Sequence, residues 1–161
     1  MYKIFERSFD SCSVEFSLMT TKKKKMQFLK AVLSPFLNEH TVMVGEINGL
    51  DFHVEKIHNE LETDKLTISS HEDGYMTLKF SSTSTADFSI VLSNFDRFSE
   101  GYYIICFFSE CKDDLNEFPD LLTDQELDGC LLKLSVQSDS TLLDFEFKDE
   151  SIYNKFISTV R

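Results

Sequence analysis

The sequence lacks most of the patterns that identify common enzymes. It contains no tryptophan and only five glycines, and none of these glycines belongs to a phosphate-cradling loop or to a Gly-x-Ser-x-Gly nucleophile elbow. His53 and Glu55 are close in the sequence, but no third metal ligand accompanies them. A catalytic carboxylate pair cannot be selected from 28 acidic residues. We therefore predict no catalytic, cofactor-binding or metal-binding residues, and we expect a protein that is not an enzyme.

The cysteines and the apolar runs indicate the cellular compartment in which the protein is expected to act. Cys12, Cys106, Cys111 and Cys130 are scattered, without the Cys-x-x-Cys spacing of redox and zinc motifs. The first ten residues mix charged and aromatic side chains, so they contain no apolar segment of signal-peptide length. The longest apolar run, residues 102–108, is too short to cross a bilayer. We expect a cytoplasmic protein with four free thiols.

The excess of negative charge is concentrated in one segment. The chain carries a formal charge of −12, and residues 110–129 contribute −7 of it through eight carboxylates against Lys112. Residues 1–109 contribute only −4. A field of this sign repels nucleic acid and anionic lipid and attracts basic proteins. We therefore expect a basic protein partner, no direct contact with nucleic acid and no contact with a membrane.

Alternation of apolar and polar residues dominates the sequence and predicts β-strands. The apolar positions of the alternating stretches are Val14 to Leu18, Phe52 and Val54, Leu66 and Ile68, Met76 to Phe80, Phe88 to Leu92, Leu132 to Val136, and Leu143 to Phe147. The run at 102–108 does not alternate and is expected to be a central strand that is covered on both faces. Short, turn-like connections between these stretches favour an antiparallel meander.

Two segments change to the helical period of three and four residues. Residues 21–34 place apolar side chains at helical spacing behind Thr21, a residue type that caps helix N-termini. Pro35 is expected to end this helix, because proline cannot continue the hydrogen-bonding pattern. Residues 149–160 form a similar pattern, and the negative charge of Asp149 suits the start of a helix.

The predicted fold is a single α+β domain over residues 1–161. An antiparallel, meander-like sheet of roughly seven to nine strands would be covered by the helices at about 21–34 and about 149–160. A third helical candidate, residues 113–122, is shorter and is interrupted by Pro119. No internal repeat or linker divides the chain.

One short segment begins like a calcium-binding loop. Asp124, Glu126 and Asp128 are followed by Gly129, as in the first half of an EF-hand. The position that requires a bidentate glutamate is occupied by Ser135, which cannot chelate the ion. The residues after the glycine alternate as a strand rather than forming a helix. We therefore predict no calcium site here, and we interpret the segment as a turn that leads into a strand.

A run of four lysines, Lys22 to Lys25, opposes the acidic character of the chain. Near a helix N-terminus these positive charges interact unfavourably with the helix dipole, at a cost of about a few tenths of a kcal/mol each. The run is either a contact for an anionic ligand or for partner carboxylates, or a solvated stretch that aids solubility. The sequence leaves both interpretations open.

The acidic segment is the strongest candidate for a binding surface. Its carboxylates surround apolar side chains that an interface could bury, and its charge would steer a basic partner. The predicted partner-binding residues are Asp113, Asp114, Glu117, Phe118, Asp120, Asp124, Glu126 and Asp128. In small size, acidity and the absence of a catalytic motif, the chain resembles bacterial immunity proteins that inhibit nuclease toxins. This resemblance is one of general character and rests on charge.

We therefore predict an immunity-type inhibitor that binds and neutralises a basic, nuclease-like toxin domain, as a monomer or a weak homodimer. Two other binding functions stay open. One is a secretion chaperone, which exposes apolar patches and dimerises, and the other is a nucleic-acid mimic that occupies a DNA-binding protein. The third alternative is an enzyme whose site cannot be recognised in the sequence. A plain solvated surface remains a rival explanation for the acidic segment.

Overall fold

An eight-stranded antiparallel sheet organises the molecule. The computed structural model describes residues 2–8, 10–36, 41–94, 102–108, 129–137 and 142–160. The strands are β1 (Tyr2–Ser8), β2 (Ser11–Phe16), β3 (Val42–Leu50), β4 (Leu66–Ser70), β5 (Tyr75–Ser82), β6 (Tyr102–Phe108), β7 (Cys130–Gln137) and β8 (Leu142–Phe147). They pair in the order β1-β2-β8-β7-β6-β3-β5-β4. The predicted fold class is confirmed.

The meander is interrupted at β3. Strands β6, β7 and β8 follow one another as neighbours, as do β1 with β2 and β4 with β5. Strand β3 instead lies between β6 and β5, and β2 pairs with β8. Strand β3, the first strand after the helical residues 22–36, is thus inserted between other strands of the sheet and is not added to its edge.

Four α-helices in the described ranges cover one face of this sheet. They are α1 (Lys22–Leu33), α2 (Asp51–Glu60), α3 (Thr85–Asn94) and α4 (Glu150–Val160). Each contributes buried apolar side chains to one core, which includes Ile105 and Phe107 of β6. The alternate residues of the same strand, Ile104, Cys106 and Phe108, belong to a smaller cluster. This cluster lies on the opposite face, because successive side chains of a strand point to opposite sides.

Both predicted helices are confirmed, with the predicted ends. Thr21 Oγ1 accepts a hydrogen bond from the Lys24 N–H at 3.3 Å, and α1 ends immediately before a 3₁₀ turn that contains Pro35. A carboxylate oxygen of Asp149 accepts the Ile152 N–H at 3.0 Å, which caps α4. Each cap satisfies a first-turn N–H that has no acceptor within the helix.

Two predicted strands are helices in the structure. Phe52 and Val54 lie in α2, and residues 88–92 lie in α3. The alternation in both places is short, and a short pattern also fits a helix with one apolar side. In α2 the buried side chains are Val54 and Ile57, which are three residues apart. Packing of this side against the sheet outweighs the local alternation.

Strands β1 and β3 are not predicted by alternation, for opposite reasons. Val44 of β3 joins the small cluster and Ile47 joins the main core, so this strand is buried on both faces and does not alternate. Strand β1 is an edge strand with mostly exposed side chains, so it lacks an apolar pattern. The third helical candidate, residues 113–122, lies outside the described residues.

Candidate functional site

The partner-binding residues predicted from sequence lie outside the residues that the structure describes. This holds for Asp113, Asp114, Glu117, Phe118, Asp120, Asp124, Glu126 and Asp128. The described chain resumes immediately after them. Gly129 has a φ of +78°, a turn conformation that favours glycine, and β7 begins at Cys130. The strand predicted from Cys130 onward is therefore confirmed, whereas the rest of the predicted turn, residues 124–128, lies outside the described residues and the role of the acidic residues stays a prediction.

A second concentration of carboxylates lies within the described residues. Residues 51–73 carry seven acidic residues and two lysines, and all seven acidic residues are exposed. They are Asp51, Glu55, Glu60, Glu62, Asp64, Glu72 and Asp73. The segment comprises α2, β4 and most of the turn that leads into β5. The described surface therefore carries a concentration of acidic residues of its own.

An exposed aromatic ring lies among these carboxylates. Phe52, the second residue of α2, is 59% exposed. The Asp51 N–H donates a hydrogen bond to the Gly74 carbonyl at 2.9 Å, which ties the start of α2 to the turn between β4 and β5. That turn carries two of the carboxylates. We call this surface the Phe52 ridge, and it consists of Asp51, Phe52, Glu55, Glu72 and Asp73.

The ridge rests on rigid elements. Val54 and Ile57 are buried beneath α2 and anchor the helix to the core. Gly74 has a φ of +77°, so the tight turn on the other side of the ridge favours a glycine at that position. The carboxylate of Asp51 accepts the Phe52 N–H at 2.7 Å and lies at a helix N-terminus, where negative charge is favourable. The backbone that carries the ring and the carboxylates is thus held in place before any partner binds.

A polar pocket of about 360 Å³ opens where the loop after α2 meets the connection between β5 and α3. Hydroxyl and carboxylate side chains dominate its walls. The lining residues are Val42, Glu62, Thr63, Asp64, Lys65, Ser81, Ser82, Thr83, Ser84 and Asp87. This composition makes the pocket a second place where the described surface could meet a ligand.

Asp87 is the buried centre of this pocket. One of its carboxylate oxygens accepts the Glu62 N–H at 2.6 Å. The other accepts the Thr63 N–H at 3.0 Å and the Ser82 hydroxyl at 2.6 Å. The hydroxyl of Ser84 accepts the N–H of Asp87 itself at 3.3 Å, which caps α3. A buried carboxylate is tolerated when donors surround it, so Asp87 joins α3 to the loop that follows α2.

Three of the five hydroxyl groups that line the pocket, those of Thr63, Ser82 and Ser84, donate to protein acceptors. The Thr63 hydroxyl donates to the Ser81 carbonyl at 2.7 Å, and the Ser84 hydroxyl donates to the Glu62 carboxylate at 3.2 Å. The charges at the rim are the exposed carboxylates of Glu62 and Asp64 and the half-buried ammonium of Lys65, so negative charge is in excess. A cationic group such as a lysine or arginine side chain fits this rim better than an anion does.

The described histidines take part in local contacts. The ring of His53 packs against the ring of Phe52, with centroids 4.0 Å apart. His71 Nε2 lies 2.8 Å from the hydroxyl of Thr77. Across the part of the chain that the structure describes, no three metal-binding side chains come together. Among the helices of the same residues, none is long and apolar enough to span a membrane.

The three described cysteines are free thiols in different environments. Burial raises the pKa of Cys12 to about 12, and the negative charges of Glu6 and Asp144 add to the increase. The Cys106 thiol donates a hydrogen bond to Cys130. This bond, followed by burial, raises the pKa of Cys106 well above its ordinary value. The same hydrogen bond is the main cause that lowers the pKa of Cys130.

We expect Cys130 to be the most reactive of these three thiols. A lowered pKa leaves more thiolate at about pH 8, and Cys130 is also partly exposed. Iodoacetamide should therefore alkylate Cys130 at least about tenfold faster than Cys12 or Cys106. Peptide mass spectrometry after timed alkylation of the native protein measures the three rates, and the denatured protein, in which the rates should converge, is the control. An equal or faster rate at Cys12 would contradict these environments.

The sequence contains a helical pattern that predicts the exposure of Phe52, but the alternation of apolar and polar residues around Phe52 obscures this pattern. Val54, Ile57 and Leu61 recur at three and four residues, which is the helical period, and this spacing places Phe52 on the opposite side. The local excess of carboxylates is also visible in the sequence. The sequence does not show that the turn between β4 and β5 lies beside Phe52, because the position of this turn depends on the hydrogen bond from Asp51 to Gly74.

No family model, curated protein or solved structure matches this chain. A functional proposal therefore depends on the residues and the geometry described above.

Proposed function

We propose that this chain is an acidic, non-catalytic binding protein that acts in the cytoplasm and neutralises a basic, toxin-like protein domain. The observation that carries the proposal is the Phe52 ridge, in which an exposed aromatic ring lies close to exposed carboxylates of α2 and of the turn between β4 and β5. Buried aromatic side chains supply much of the binding energy of protein interfaces. Carboxylates around them select a partner that presents lysine and arginine.

The charge of the whole chain supports the same proposal. A net charge of −12 accelerates association with a basic protein and slows association with an acidic one. Residues 113–128 would add a second acidic contact, as the sequence predicts, and the rim of the polar pocket offers a third place for a cationic side chain. An inhibitor of this kind needs no catalytic group, since it acts by covering the partner's cationic surface.

Capture from the chain's own cells, followed by measurements on the purified complex, tests this proposal. We expect the tagged chain to retain a protein of basic isoelectric point at low salt. With that protein purified, Phe52→Ala and the double variant E72K/D73K should each weaken the dissociation constant by about 30-fold or more. Raising the salt from about 50 to about 500 mM should slow association, because screening shortens the range of steering.

The matched control is the double variant E15K/E150K. Both residues are exposed and the net charge changes equally, but they lie on β2 and α4 rather than on the ridge. Its dissociation constant should stay within about threefold of the wild type. Retention of acidic proteins alone would refute the proposed function. An E72K/D73K variant that binds as tightly as the control would refute the ridge as the site.

A further inference from the structure

The turn between β2 and α1 exposes two apolar side chains almost completely. Leu18 is 88% exposed and Met19 is 90% exposed, the highest values among the large apolar residues that the structure describes. The Thr20 N–H donates to the Ser17 carbonyl at 3.0 Å, and the hydroxyls of the same two residues lie 3.0 Å apart. These bonds close the turn, so its two central side chains project outward from an ordered backbone.

The four lysines come directly after this turn. Thr21 caps α1, so Lys22 to Lys25 form the first turn of the helix, which contains no acidic residue. Lys23 and Lys24 are exposed. The ammonium of Lys25 lies 5.8 Å from the centre of the Phe16 ring, at the end of β2. The two exposed apolar side chains and the positive charges therefore lie at one corner of the molecule. We call this surface the lysine turn, and it consists of Leu18, Met19 and Lys22 to Lys25.

We propose that the lysine turn is a docking site for an anionic lipid bilayer, with Leu18 and Met19 inserted among the lipids and the lysines on the headgroups. Clusters of four or more lysines bind anionic lipid surfaces, and apolar side chains beside them strengthen the attachment. Turn positions are ordinarily polar. A leucine and a methionine held there by hydrogen bonds are placed for burial in something outside the chain.

The shape and composition favour a bilayer over a protein partner. Leu18 and Met19 are about nine-tenths exposed and lie on a convex turn. A convex turn makes few contacts with an ordinary protein surface, but it can insert into a fluid lipid bilayer. The centres of protein interfaces are enriched in aromatic residues, methionine and arginine and are depleted of lysine. Lysine supplies four of the six residues of the lysine turn, and no arginine belongs to it.

The overall negative charge does not prevent this contact. The Phe52 ridge lies beside β5 and the lysine turn lies at the end of β2, and these strands are five positions apart in the sheet. At about 4.8 Å per strand the separation is about 24 Å, whereas charges are screened over about 8 Å at physiological ionic strength. Among the described residues, the carboxylates of the ridge are therefore too far away to cancel the positive charge of this corner.

A second copy of the chain is the less suitable occupant. Its complementary surface would be the Phe52 ridge, which also projects outward with an exposed ring. Two convex surfaces bury little area against each other, and a stable contact requires a larger one. Self-association through the lysine turn is nevertheless a measurable alternative.

Co-sedimentation with vesicles tests the proposal. The full chain should bind phosphatidylcholine vesicles that contain about 30% phosphatidylserine and should not bind pure phosphatidylcholine vesicles. The variant L18S/M19S should lower the partition coefficient by about 30-fold or more, because the apolar insertion is lost. The variant K23S/K24S should lower it by a similar factor, because each lysine near an anionic surface contributes about fivefold.

The matched control is K148S/K155S, which removes two exposed lysines at other places on the surface and should change the partition coefficient less than threefold, about the effect of a weak surface charge. Circular dichroism should show that all variants keep the fold. Absence of sedimentation at low salt, or sedimentation that L18S/M19S leaves unchanged, would overturn the proposal. So would concentration-dependent dimerisation that L18S/M19S abolishes in a chain that does not bind vesicles.

Discussion

The substitution Asp87→Asn is expected to lower the free energy of unfolding by about 3 kcal/mol, which corresponds to a fall of about 6–12 °C in melting temperature for a chain of this size. Asparagine matches the carboxylate in shape, so the loss comes from hydrogen bonding and not from a cavity. One oxygen becomes an NH₂ group, which cannot accept the N–H of Glu62 or Thr63 that now points at it. A partly buried backbone donor then loses its acceptor and keeps part of its desolvation cost.

Chemical unfolding followed by circular dichroism measures this change. The matched control is Asp64→Asn, since Asp64 lines the same pocket but is exposed. An exposed substitution should change the free energy of unfolding by less than about 0.5 kcal/mol. If the two variants were equally stable, the hydrogen bonds to Asp87 could not be what joins α3 to the loop after α2.

The two described polar surfaces are anchored at opposite ends of α2. The hydrogen bond from Asp51 to Gly74 fixes the first residue of the helix and with it the Phe52 ridge. Asp87 fixes Glu62 and Thr63 just beyond the last residue. A ten-residue helix is about 15 Å long, so a defect at one end need not disturb the other. The pocket and the ridge can therefore be altered separately.

Much of the fold could be predicted because its pattern is local. Helix α1 has a capping threonine, a helical period and a proline immediately after it, and these signals depend on neighbours in the sequence. Strands β7 and β8 have one face in the core and one outside, so alternation identifies them. The predictions of strands at α2 and α3 are wrong because these segments are short enough to fit both the strand period of two and the helical period of 3.6. Packing of one side of the segment against the sheet decides between a strand and a helix.

The candidate sites were harder to predict, because exposure is a property of the whole fold. The sequence shows that Phe52 has acidic neighbours, but alternation assigns it to a strand, where it would share a face with Val54. In the helix the two side chains point in nearly opposite directions, and Phe52 becomes the exposed centre of a ridge. The lysine run is plain in the sequence. What the sequence could not show was that Leu18 and Met19 project beside it.

The substitution Gly45→Ala should destabilise the central sheet by about 3 kcal/mol, at the upper end of the usual cost of overpacking a core. Gly45 lies opposite Phe80 on one neighbouring strand and opposite Ile105 on the other. A Cβ at this position would overlap Cε1 and Cζ of the Phe80 ring and would lie 2.9 Å from Cδ1 of Ile105. The ring cannot move away cheaply, because Phe80 is fully buried in the main core.

Two further variants separate this steric effect from the general cost of replacing a glycine. Gly74→Ala introduces a methyl group with nothing within 4 Å, so it should cost only about 1 kcal/mol, from its positive φ. The double variant G45A/F80L should be more stable than the sum of its single variants predicts, because the shorter side chain makes room for the methyl group. Chemical unfolding of the wild type, of G45A, F80L and G74A, and of the double variant measures these changes. Strict additivity would mean that the Phe80 ring is not what excludes a side chain at Gly45.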